Sequence, residues 1–250
     1  MMGILRFAIG WLAVTLLLAL LHKGLIASPS SSTPSGVFHS GHVWCFEHIA
    51  SMLWSGDWSL WTNQLAYPET VTVRFIGWCP AVISALFSPI AGPIAAYNLA
   101  FLLSSSLTAP VSALFFRQLN PRLSLISAWS LALLVSLSPP MIGAIANGQI
   151  CKAQLWLISL MGLIWVYFSR KLDAKFSWSS LVSAMLAMLL AAGCMAFTEP
   201  TYCLFVAPML GLSSGLWILQ SSYKLRQLFI QVLMVGGVAI IFVLAERYYD

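Results

Sequence analysis

The feature that most constrains this chain is a succession of long apolar stretches with almost no charge inside them. Pro93 to Leu119, Leu123 to Leu137, Leu155 to Phe168, Trp178 to Phe197, Thr201 to Leu219 and Leu228 to Leu244 are such stretches. Short polar or proline-bearing breaks separate them: Asn120-Pro121-Arg122, Ser138-Pro139-Pro140 and Glu199-Pro200. Only 8% of the 250 residues are charged and 60% are hydrophobic. The mean hydropathy is +0.89. A soluble domain carries ~25% charged residues, so this chain could not cover its surface in water. In lipid it need not, provided each backbone group is bonded inside a helix or a closed barrel. The runs lack strict alternation, which selects helices over a barrel. The expected fold class is all-α, a polytopic helical membrane protein with about seven transmembrane helices by the ~20-residue criterion.

The formal charge is +5. In a membrane protein that excess marks cytoplasmic loops, so nucleic acid is not an expected partner. With the N-terminus in the cytoplasm, Arg6, Arg117, Arg122, Arg170, Lys171, Lys175, Lys224 and Arg226 fall inside, and Lys23, Arg74, Lys152 and Arg247 fall outside. The positive-inside rule supports that orientation. Residues 1–27 read as a retained first transmembrane helix rather than a signal peptide, since Leu25 is a poor residue before a cleavage at Ala27. Residues 28–92 read as an outer loop with interfacial helices, and 93–250 as a helical bundle. The odd helix count suggests a minimal version, or an N-terminal part, of something larger.

The long polar interval from Ser28 to Arg74 concentrates the reactive side chains. It holds three of the four histidines and three of the seven acidic residues. Trp44 to Trp54 reads as a short amphipathic helix lying on the membrane surface. Cys45, Phe46, Ile49, Ala50, Met52 and Leu53 share one face, with Glu47, His48 and Ser51 on the other. Ser55-Gly56-Asp57 ends it. Pro80 to Ile90 is apolar but short, a second interfacial or re-entrant helix.

Glu47, Asp57 and Glu69 are candidate general bases, because a carboxylate at an apolar cavity can take the proton of an attacking hydroxyl. Each also reads as a solvated loop charge. His39, His42, Cys45 and His48 recur every third residue and are all metal-ligand types. Steps of three spread them over half a helix, so they do not converge unless the linker folds back. No cofactor is called for, with a divalent cation left open. Lys152 and Arg74 are cations suited to a phosphate or to lipid headgroups. Cys45 and Cys79 flank the loop and are open to pairing in an oxidising compartment. Glu199, at the outer end of two spans, is a functional candidate if it lies at membrane depth and an ordinary carboxylate if it meets water.

Several pieces in order give a resemblance. They are a first helix, Trp44 leading a short amphipathic helix, Tyr67-Pro68-Glu69, an apolar segment ending at Gly92-Pro93, and Ala96-Tyr97-Asn98-Leu99. Arg117, Ser138-Pro139 and Asn147-Gly148-Gln149 follow. Together they resemble the N-terminal half of bacterial polytopic membrane glycosyltransferases of the GT-C type, over roughly residues 5 to 220. The resemblance implies an inner-membrane location and a polyprenyl-phosphate-linked sugar donor used at the outer face. It also implies a catalytic acid in the first outer loop. Here Ser28 to Val43 contains no Asp or Glu, and the first acid is Glu47, beyond Trp44. Glu47 is therefore the expected base, with Asp57 second. Arg74, Lys152, Asn147, Gln149 and Trp44 are the expected substrate contacts. Membrane lipid and a lipid-linked sugar are the expected partners. The alternative is a non-catalytic structural or accessory subunit that kept the fold and meets other subunits of a membrane complex.

Overall fold

The computed structural model describes residues 2–22, 28–31, 33, 39–57, 61–62, 71–72, 77–147 and 149–249, with backbone alone at 2–4, 6, 39–41, 61–62, 71–72 and 248–249. The helices are α1 (Met2–Leu21), α2 (His39–Ser55), α3 (Trp78–Ala91), α4 (Pro93–Ser106), α5 (Thr108–Leu119), α6 (Leu125–Ser136), α7 (Pro139–Ala146), α8 (Trp156–Ala174), α9 (Trp178–Ala196), α10 (Thr201–Gln220) and α11 (Lys224–Tyr249). Two short strands, β1 (Trp61–Thr62) and β2 (Val71–Thr72), pair antiparallel with Trp61 opposite Thr72. The contacts divide the chain into two units. One comprises Met1–Leu107 and Leu137–Gln154, the other Thr108–Ser136 and Leu155–Asp250.

The chain is an all-α polytopic membrane protein. Among the described residues, four helical stretches are long and apolar enough to cross a bilayer: Pro93–Leu119, Trp178–Ala196, Thr201–Gln220 and Lys224–Arg247. A fifth is added if Leu125–Ser136 and Pro139–Ala146 make one broken span. The expected count of about seven is therefore corrected downward. The shortfall has two sources. The stretch from Leu155 continues as α8 to Ala174, and Arg170, Lys171 and Asp173 enter its last turns, so its uncharged part ends at Ser169. In α1, the apolar stretch that qualifies runs only from Phe7 to Leu21.

Proline and glycine set most of the ends. Gly56 closes α2 with φ +74° and its N–H on the Met52 carbonyl. Gly77, at φ 84°, precedes α3, and Gly92, at φ 76°, ends it just before Pro93 starts α4. Pro at a first helical position loses no hydrogen bond, since that N–H has no partner in any case. Pro110 lies inside α5 and cannot donate to Ser106, and the helical ladder breaks one turn earlier, at Leu107. Ser177 caps α9, its hydroxyl accepting from the Ser180 N–H at 3.2 Å.

In the first unit the core forms where α2 meets α3, α4 and the turn after α7. Phe46, Ile49 and Met52 of α2 are buried with Ala81, Tyr97, Ala100, Phe101, Ile150 and Cys151. The Phe46 and Tyr97 rings lie 5.2 Å apart. Gly77 sits where this packing is tightest, since a Cβ there would meet the Cys151 Sγ at 2.8 Å. The apolar face of α2 thus rests on protein side chains. The helix begins at His39 and not at Trp44, so its first turn precedes the amphipathic part that the sequence pattern marks.

In the second unit α9 packs on α8 and α11, with Ala184, Met188, Ala192 and Met195 buried. Gly237 of α11 lets Leu189 approach, a Cβ there meeting the leucine Cδ2 at 3.2 Å. Small residues at such contacts allow close backbone approach, which supplies the packing energy that lipid-solvated helices need.

Candidate functional site

Glu47 is exposed on α2, opposite the buried face. It lines a groove of about 550 Å³ with Ala50, Ser51, Trp54, Ser88, Pro89 and Pro93. Glu47, Ser51 and Trp54 stand at i, i+4 and i+7, so one stripe of the helix presents all three. The opposite wall explains the fixed indole. Pro89 has no N–H, so the Ala85 carbonyl lacks its helical partner. The Trp54 indole N–H donates to that carbonyl at 2.8 Å, and the Ser88 hydroxyl donates to it at 3.2 Å. The ring stays 62% exposed while its polar edge is held. A carboxylate thus shares a groove with an exposed, anchored indole, the pairing that suits a hydroxyl-rich ring: the acid accepts hydrogen bonds from hydroxyls and the aromatic gives a stacking surface.

The other expected site residues do not join this groove. Trp44 is half-buried and stacks on His48, one turn on, with ring centroids 5.3 Å apart. Asp57 is exposed beyond the end of α2, its backbone N–H on the Ser55 hydroxyl at 3.2 Å. Asn147 closes α7, donating from Nδ2 to the Gly143 carbonyl at 2.9 Å. Gln149 donates its backbone N–H to Ala144, and Lys152 is exposed. This turn meets the buried side of α2 through Ile150 and Cys151, whereas Glu47 is on the exposed side. The groove lining includes none of Asn147, Gln149 or Lys152. Arg74, Glu69 and Gly148 lie outside the described residues, as does the side chain of His39. Among the described residues no three His, Cys, Asp or Glu side chains are gathered as a metal site requires. Cys45 and Cys79 are not joined in a disulfide. Burial pushes the Cys45 thiol up to about 11.

Glu199 is only 5% exposed. Its carboxylate accepts from the Thr201 hydroxyl at 2.5 Å, so the protein rather than water solvates it.

The sequence reading missed a polar chain in the second unit. Gln231 of α11 is buried. Its Oε1 accepts from the Trp165 indole N–H at 2.8 Å and the Ser214 hydroxyl at 3.0 Å, and its Nε2 donates to the Ser169 hydroxyl at 2.9 Å. One turn away, Gln227 donates to Asp173 Oδ1 at 3.0 Å, which also accepts from the Ser221 hydroxyl at 2.8 Å. The chain thus joins α8, α10 and α11. Its signal is the period of four in Trp165, Ser169 and Asp173, matched by Gln227 and Gln231 in a facing apolar run. Such residues inside spans hydrogen-bond across helices, because hydrocarbon offers no other partner.

No family model, no curated protein and no solved structure matches this chain. The fold and its apolar helices define the class: an all-α integral membrane protein with several spanning helices.

Proposed function

We propose that the chain is a GT-C-like transferase that moves a sugar from a polyprenyl-phosphate carrier to a hydroxyl acceptor at the outer membrane face, with Glu47 as base. The observation that carries this reading is the groove in which the Glu47 carboxylate and the anchored Trp54 indole stand on one stripe of α2. In the reaction the acceptor oxygen bonds to the anomeric carbon and its proton passes to the Glu47 carboxylate. The carbon–oxygen bond to the carrier breaks, and the polyprenyl phosphate leaves with the electron pair. Trp54 offers the sugar a flat face. Ser51 offers a hydroxyl between them.

Glu47→Gln keeps the shape and removes the base. In proteoliposomes supplied with a polyprenyl-phosphate sugar it should turn over about 10²–10⁴-fold more slowly than wild type while remaining folded. An unchanged rate removes Glu47 from the mechanism.

A second reading, a non-catalytic accessory subunit, is favoured by one observation. Among the described residues the groove lining has no cation to meet a donor phosphate. Wild-type protein without transfer activity on any polyprenyl-linked sugar would support that reading.

A further inference from the structure

The polar chain of the second unit ends at a small cavity of about 200 Å³ lined by Asp173, Trp217, Gln220 and Ser221. The cavity lies at the junction of two candidate spans, where Thr201–Gln220 ends and Lys224–Arg247 begins. The ends of membrane-spanning helices lie at headgroup depth in a bilayer. Asp173 is the acid of the cavity, and its two oxygens are not equivalent. Oδ1 accepts from Ser221 at 2.8 Å and from Gln227 at 3.0 Å, and the Arg226 guanidinium lies 3.9 Å from it. Among the described residues none of these contacts falls on Oδ2, and the side chain is 36% exposed. Arg226 forms only a long ion pair with the carboxylate, at 3.9 Å. It donates to the Asp173 backbone carbonyl at 2.6 Å and lies over the Tyr223 ring, 4.1 Å from its centroid. The result is a carboxylate positioned through one oxygen and available through the other, beside an indole. Exposed Lys175 lies two residues after Asp173 in the chain, and exposed Lys224 three residues after Ser221.

We propose that this cavity binds a phosphoethanolamine-type head group, a primary ammonium joined to a phosphate. The ammonium donates to Asp173 Oδ2 and to the Gln220 side-chain oxygen, with the Trp217 ring as a cation–π wall. The phosphate reaches these two lysines. This charge order, one acid with lysines close to it in the chain, discriminates by hydrogen bonding as well as by charge. A choline head group carries the same charge but has no N–H to donate. A glycerol head group brings no positive charge to the acid.

The test uses the full chain purified in a neutral detergent. Its thermal midpoint is measured with added phosphatidylethanolamine, phosphatidylcholine or phosphatidylglycerol, and separately with free phosphoethanolamine. Phosphatidylethanolamine should raise the midpoint by several degrees more than the other two lipids. Asp173→Asn keeps an oxygen for Ser221 and Gln227 while removing the charge, and should abolish that difference. Gln220→Trp fills the cavity from an exposed position outside the polar chain, so it carries the test if the first variant does not fold. An Asp173-dependent shift with free phosphoethanolamine as well supports the same site and assigns it a soluble ligand. Equal shifts from all three lipids, or an ethanolamine preference that survives both variants, overturn the proposal.

Discussion

The indole N–H of Trp165 donates to Oε1 of Gln231 at 2.8 Å, and both side chains are buried. The same glutamine holds Ser214 and Ser169, so one residue of α11 satisfies polar groups on two other helices. An amide in an apolar span is costly unless its donors and acceptors are met, and here both ends are met.

Gln231→Leu keeps the volume roughly and removes the hydrogen bonds to Trp165, Ser214, Ser169 and Gln227. The expected loss is on the order of 1–3 kcal/mol, at the low end if the unfolded helices find other partners in the membrane. Reversible unfolding in mixed micelles measures it. The Trp165→Phe change should be non-additive with it, because both delete the same bond. Additive losses in the double variant would mean that the bond contributes nothing of its own.

Gly77 and Gly56 separate backbone strain from steric overlap. Both have positive φ, a region that costs an L-residue roughly 1–2 kcal/mol. At Gly56 an added Cβ meets open space, whereas at Gly77 it meets the Cys151 Sγ at 2.8 Å and the Phe46 ring at 3.4 Å. Gly77→Ala should therefore lower the thermal midpoint clearly more than Gly56→Ala. Equal losses would show that the Phe46 and Cys151 packing yields without cost.

His22 follows α1 and sets its ring edge-on to Phe101, with centroids 5.5 Å apart. Burial lowers its pKa from the ordinary 6.5. The folded state thus favours the neutral ring. The unfolded chain takes up a proton near pH 6.5 that the folded chain takes up only at lower pH. The stability is fully present above 6.5 and is lost as pH falls through the folded value. The thermal midpoint of wild type should fall between pH 8 and pH 5 more steeply than that of His22→Phe. Parallel slopes would exclude His22 as a source of the pH dependence.

Ser30 and Ser222 are both exposed. The positive-inside rule predicts that they lie on opposite sides of the membrane, with Ser222 in the cytoplasm. In a background without the five native cysteines, Ser222→Cys should react with an impermeant maleimide only from the cytoplasmic side. Ser30→Cys should react only from the outside. Reaction of both from one side would reject the orientation.

Much of the helical layout was legible in the sequence. The stretches from Trp178, Thr201 and Leu228 are helices because their runs are apolar and bounded by residues that end helices. Gly56 and Gly92 stop α2 and α3 where the sequence places turn residues. The face of α2 was legible too, with Phe46, Ile49 and Met52 buried and Glu47 exposed. The count of spans was not, because hydropathy alone does not show that α8 runs on through Arg170, Lys171 and Asp173 to Ala174.

By itself the sequence determined the membrane class, most helix ends and the exposed side of α2. These follow from local rules: hydrophobic length, the missing N–H of proline and the conformational freedom of glycine. Only the tertiary structure decided which polar groups meet. It turned Trp54 onto the carbonyl that Pro89 leaves free, drew Gln231 to Trp165, and kept Lys152 out of the groove of Glu47. Periodicity fixes the face on which a side chain stands. It carries no information about which other helix that face will meet, because the partner is set by packing between residues distant in the chain.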